Sequence, residues 1–62
     1  MVLMTYDLKP YKGYGVQKAW YEDFDGRKVP NTDIYLVSDD DDYIGEEYHT
    51  IAEAHRFIDS II

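Results

Sequence analysis

The sequence predicts a small α+β domain: a three-stranded antiparallel sheet, four-stranded if the first residues also pair, with one C-terminal helix packed on one face. Three observations predict it. Ile34-Tyr35-Leu36-Val37 is an unbroken apolar run of strand formers, the pattern of a central strand covered on both sides. Thr50-x-x-Glu53 opens a stretch in which Ile51, Ala54, Phe57, Ile58 and Ile61 recur at helical spacing. Between them and upstream, Gly, Pro and Asp clusters break the chain at intervals short enough for hairpins.

In chain order, residues 2–6 read either as a short strand or as an arm lying across the sheet. Lys9-Pro10-Tyr11-Lys12-Gly13 is a turn, since Pro presets its backbone angle and Gly admits positive ones. Tyr14 to Glu22 is rich in strand formers, with Tyr14, Val16 and Trp20 on one face and Lys18 snorkelling at the edge. Asp25-Gly26 is a hairpin dipeptide, but Pro30-Asn31 follows, so the connection is longer than a minimal turn. Asp33 to Ser38 is the clearest strand. The Asp run makes the next turn, and Tyr43 to Tyr48 returns as a strand with Gly45 as a candidate bulge. Thr50 caps the helix, and Glu53 completes a capping box. Asp59 is the one discordant residue, because an anion near a helix C-terminus opposes the dipole.

At 62 residues there is room for one domain, residues 1–62, and one small core. Hydrophobic residues make up 45% and aromatics 16% of the chain, which separates it from a disordered acidic tail. The absence of cysteine excludes disulfides and thiolate zinc sites, and it suits a reducing cytoplasm. The opening residues carry no basic region and no long apolar run, so neither a targeting segment nor a membrane span is expected.

Charge is the strongest functional signal. Thirteen acidic groups face six basic ones, for a net charge of −7. Residues 19–62 hold twelve of the acids, including Asp39-Asp40-Asp41-Asp42 and Glu46-Glu47, with Glu22, Asp23 and Asp25 upstream. Phosphate backbones and anionic bilayers both require a basic patch, so direct nucleic-acid and membrane binding are disfavoured. An anionic field of this density steers toward basic partners. A plain solvated turn accounts for the Asp run equally well, since unit charges ~6 Å apart in water repel by only about 0.7 kcal/mol.

Catalysis is not expected. There is no cysteine nucleophile, the only serines are Ser38 and Ser60, and His49 and His55 read as a loop and a helix-flank histidine. A calcium loop counted from Asp39 fails, because Ile44 stands at its sixth position and Thr50 at its twelfth. No metal and no cofactor are expected. The candidate partner-binding residues are Asp39, Asp40, Asp41, Asp42, Tyr43, Glu46, Glu47, Asp23 and Asp25. Carboxylates spaced along a strand at about 3.3 Å per residue approach the phosphate spacing of about 3.4 Å along a DNA strand. Such carboxylates would contact the Arg and Lys groups that normally hold phosphates. Tyr43 would stack where a base stacks.

Two stretches carry a resemblance. Tyr11-Lys12-Gly13-Tyr14-Gly15-Val16-Gln17-Lys18 resembles the opening strand of many small phage and mobile-element proteins. Thr50-Ile51-Ala52-Glu53-Ala54-His55-Arg56-Phe57-Ile58-Asp59 resembles their closing helix. The layout is similar to the arm-type DNA-binding domains of tyrosine integrases, but this chain is acidic where those are basic. In size and charge it resembles the acidic phage inhibitors of host defence, the anti-CRISPR and anti-restriction proteins. That resemblance implies a non-enzymatic inhibitor acting in the bacterial cytoplasm. It would bind the basic nucleic-acid groove of a host protein such as a CRISPR effector by DNA mimicry. The alternative is a small homodimeric assembly or regulatory module that pairs through an edge strand and exposed tyrosines, its acids serving solubility alone.

Overall fold

The computed structural model describes residues 1–62 as an open antiparallel sheet followed by a helix. The elements are β1 (Val2–Asp7), β2 (Gly15–Glu22), β3 (Ile34–Asp39), β4 (Asp42–Tyr48) and α1 (Ile51–Ile61). Strand order is β1-β2-β3-β4, so each strand pairs with its successor. The α+β class agrees with the sequence. Val2–Asp7 pairs along its whole length with β2, from Val2 opposite Glu22 to Asp7 opposite Gln17, which makes the sheet four-stranded and removes the arm alternative.

The connections follow from local chemistry. Tyr11 and Tyr14 exchange both backbone hydrogen bonds at 2.9 Å. Lys12 (φ 50°) and Gly13 (φ 86°) turn between them with positive φ, as a two-residue hairpin loop matched to strand twist requires. The long connection after β2 is closed by Thr32, whose hydroxyl accepts from the Tyr21 N–H at 3.1 Å and donates to the Val29 carbonyl at 2.8 Å. Asp39 pairs with Asp42, leaving Asp40 and Asp41 as the β3–β4 turn. Asp40 takes the left-handed conformation (φ 54°), which Asp tolerates better than most residues.

β4 carries the expected irregularity. Tyr35 opposes Tyr48 and Val37 opposes Ile44, so β4 spends two more residues than β3 between these pairs. Gly45 absorbs the excess at φ 76°.

The helix begins where the cap predicts. Thr50 is extended, and its hydroxyl accepts from the Glu53 N–H at 3.1 Å; only this half of the capping box forms. Buried Ala54 and Ile58 join Val16 and Val37 in one core cluster, with Leu8, Tyr11, Tyr14, Tyr35, Ile44, Tyr48 and Phe57 packed around it. Five of 62 residues are buried. One 11-residue helix is too short to enclose a four-stranded sheet, so the cover expected on both sides of Ile34–Val37 is incomplete: Val37 alone is buried, and Ile34, Tyr35 and Leu36 are half-buried.

Asp59 finds a partner that its helix position did not disclose. Lys12 donates to its carboxylate at 2.7 Å, and the Tyr11 hydroxyl donates at 3.1 Å. The Tyr11 ring also stacks on His55, with centroids 3.9 Å apart and planes 9° from parallel. The β1–β2 turn is thereby clasped to the helix. The Lys12 hydrogen bond holds the Asp59 carboxyl below its ordinary value and raises the Lys12 ammonium above its own.

Candidate protein-binding surface

The meander decides where the acids go. β1 and β3 run one way and β2 and β4 the other, so the β1–β2 and β3–β4 turns share one end of the sheet and the β2–β3 connection occupies the opposite end. Asp39, Asp40, Asp41 and Asp42 stand together at the tip of the β3–β4 hairpin, all exposed. Glu46 and Glu47 continue down β4, also exposed, on the outer strand of the sheet. The bulge at Gly45 breaks strict alternation, so these two glutamates follow a different register from Asp42 and Tyr43.

Asp23 and Asp25 are not part of this group. They lie beyond the other end of the strands, about 20 Å from the Asp39–Asp42 tip for six residues of β3 at roughly 3.3 Å each. With a screening length of about 8 Å at physiological salt, they act as a field separate from that of the tip. Asp23 also serves its own loop, where Oδ1 accepts from the backbone N–H groups of Asp25 and Arg27, each at 2.9 Å. Of the nine predicted residues, the hairpin gathers Asp39 to Tyr43 at its tip and carries Glu46 and Glu47 further down its outer strand, while Asp23 and Asp25 lie on the opposite connection.

No internal cation neutralises that group. The ion pairs of the chain are Lys12–Asp59 at 2.7 Å, Lys28–Asp33 at 2.8 Å and Lys18–Asp33 at 3.9 Å. The Lys28 bond holds the Asp33 carboxyl below its ordinary value. Asp33 Oδ1 is shielded from water without a well-aligned hydrogen bond, so charge pairing is what compensates it. Half of the basic side chains are spent on two acids outside the hairpin, and none forms an ion pair with a hairpin acid.

Tyr43 is exposed, but its hydroxyl donates to Gln17 Oε1 on β2, and Gln17 Nε2 donates onward to Asp7 at 2.6 Å. This row draws the tyrosine across β3 toward β2 instead of leaving it free to project from the turn.

Sequence reasoning missed Phe24, which is 91% exposed at the tip of the β2–β3 loop. The Asp23 turn holds that tip, with Gly26 N–H bonded to the Asp23 carbonyl at 3.1 Å and Asp23 N–H to the Arg27 carbonyl at 2.9 Å. The available signal was the sequence Asp23-Phe24-Asp25-Gly26, an aromatic flanked by turn-forming residues.

Two surface depressions flank the helix. One is lined by Leu8, Lys9, Pro10, Tyr11, Ile51 and His55, the other by Tyr48, Glu53, Arg56, Phe57 and Ser60. In the first, His55 is engaged in its stack on Tyr11; the second contains Ser60, whose hydroxyl donates to the Phe57 carbonyl at 2.6 Å. No three His, Asp or Glu side chains converge as a metal-binding group. No helix is long and apolar enough to cross a membrane. The chain matches no protein-family model, and comparisons with curated proteins and with solved structures found no match.

Proposed function

We propose that the chain is a non-enzymatic binding protein that presses its acidic β3–β4 hairpin into the basic nucleic-acid groove of a protein. In this reading it is a phage or mobile-element inhibitor of host defence, acting in the bacterial cytoplasm on a CRISPR effector or a similar nucleic-acid-handling complex. The observation that carries the proposal is the concentration of six carboxylates on one hairpin at a sheet edge, with none of the chain's ion pairs reaching them. The helix backs one face of the sheet and, with the Tyr11–His55–Asp59 clasp, stiffens the scaffold on which the hairpin rides.

A paired hairpin backbone keeps these charges close together before contact, which lowers the ordering cost of binding. Carboxylates at the tip meet Arg and Lys by charge-assisted hydrogen bonds. Electrostatics chiefly accelerates encounter, and desolvated aromatic contacts hold the complex. Substituting Asp40→Asn, Asp41→Asn, Glu46→Gln and Glu47→Gln together tests this. Against an effector complex that the chain binds, the association rate is expected to fall roughly tenfold or more at low salt, with a flatter salt dependence. Unchanged kinetics would remove the hairpin from the interface.

A further inference from the structure

We propose that the outer edge of β1 is a self-association surface, at which two copies pair β1 to β1 antiparallel and extend the two sheets into one of eight strands. This stands independently of what the acidic hairpin binds.

The two edges of the sheet are built differently. Edge strands expose unpaired backbone groups and are ordinarily defended by charge, bulges or proline. β4 has all but the last: Asp42, Glu46 and Glu47 on the strand and a bulge at Gly45. β1 has none over residues 2–6, where it reads Val-Leu-Met-Thr-Tyr, and its register with β2 is unbroken. Its apolar side chains lie open on both faces, with Val2 51%, Leu3 44%, Met4 36% and Tyr6 63% exposed. The helix contacts β3 and β4 and leaves β1 without cover.

The hydrogen-bond phase defines which backbone groups are free. The Leu8 N–H donates to the Val16 carbonyl at 2.9 Å. Alternation in an antiparallel ladder then turns Tyr6, Met4 and Val2 toward β2, and Leu3, Thr5 and Asp7 outward. A two-fold axis through Met4 places Leu3 opposite Thr5 of the second copy and Val2 opposite Tyr6, with about four new backbone bonds from the central pairs. Like faces meet like faces, and Asp7 stays outside the apolar stretch. A two-fold axis through Thr5 would instead set Leu3 against Asp7.

The two-fold register makes a second copy a self-complementary partner for β1, and charge decides which of the two edges it uses. Each chain carries −7, so self-association is repelled wherever acids approach. The β4 edge is three strand spacings away, about 14 Å, beyond the screening length of about 8 Å. β1 is thus the edge at which two copies meet with least repulsion. The product carries its two acidic hairpins on opposite outer edges.

The test is sedimentation velocity of the 62-residue chain from 1 to 500 µM, at 50 and 500 mM NaCl, beside Thr5→Pro. Proline at position 5 removes an outward N–H and leaves the β1–β2 ladder its donors, as edge strands permit. A dimer that tightens with salt and weakens about a hundredfold in Thr5→Pro is expected. If that variant loses its fold by circular dichroism, amide exchange of the unaltered chain decides. Leu3 and Thr5 then gain protection with concentration, while Met4 and Tyr6 stay as protected as in dilute solution. A monomer at 500 µM, a dimer unaffected by proline in a folded chain, or unprotected Leu3 and Thr5 amides overturns the proposal.

Discussion

Replacing Gly45 by Ala probes the bulge that separates the acidic tip from Glu46 and Glu47. The backbone there sits at φ 76°, where an L side chain costs about 1–2 kcal/mol. A Cβ at this position would lie 2.7 Å from the Tyr48 hydroxyl and 2.8 Å from the Phe57 ring. The ring belongs to the helix and stacks on Tyr48 with centroids 5.5 Å apart, so relief requires shifting the helix or rotating the pair. Overpacking of this kind costs about 1–3 kcal/mol. The total, about 2–5 kcal/mol, is a large share of the roughly 3–9 kcal/mol expected for a domain of this length. Gly26→Ala is the matched comparison, because its φ is 81° with nothing within 4 Å of a new Cβ. It should lose only the conformational part, about 1–2 kcal/mol. Urea unfolding followed by Trp20 fluorescence and circular dichroism measures both. Equal destabilisation of the two variants, within about 0.5 kcal/mol, would refute the close approach of Gly45 to the helix and with it the bulge geometry.

Four further outcomes follow from the fold. Ile58→Ala should destabilise by about 2–5 kcal/mol in denaturant titration, since Ile58 is among the largest of the five buried residues. Thr50→Ala should lower stability by about 0.5–2 kcal/mol through loss of the cap, and Phe24→Ala should change it by less than about 0.5 kcal/mol because nothing packs on that ring. Asp59 titrates lower in the folded chain than in the unfolded one, so its contribution is complete above the ordinary carboxylate pKa and is lost as pH falls through the folded value. The melting-temperature gap between the unaltered chain and Asp59→Asn should therefore narrow as pH falls below about 4; a gap constant from pH 3 to 7 contradicts the Lys12 pairing.

The elements legible in the sequence are those with a one-dimensional signature. The helix was readable because Thr50 and the Ala54–Ile58 stripe declare both its start and its buried side, and β3 because Ile34–Val37 has no polar interruption. β1 stayed ambiguous for a physical reason: Val-Leu-Met-Thr-Tyr has no inside–outside alternation, and in the fold neither of its faces is buried. Asp59 looked misplaced because its partners Tyr11 and Lys12 are 48 and 47 residues away. The hairpin acids were legible as a run, but grouping them with Asp23 and Asp25 required knowing which end of the meander each turn occupies. That depends on strand direction, which charge spacing does not encode.

The most direct test of the hairpin reading is competition. Labelled target DNA is bound to a panel of purified CRISPR effector complexes, and anisotropy is followed as the chain is added at physiological salt. Displacement of DNA from at least one effector by the unaltered chain is expected, and none at matched concentration by the variant combining Asp40→Asn, Asp41→Asn, Glu46→Gln and Glu47→Gln. Displacement by both proteins alike, or by neither across the panel, would contradict the hairpin reading.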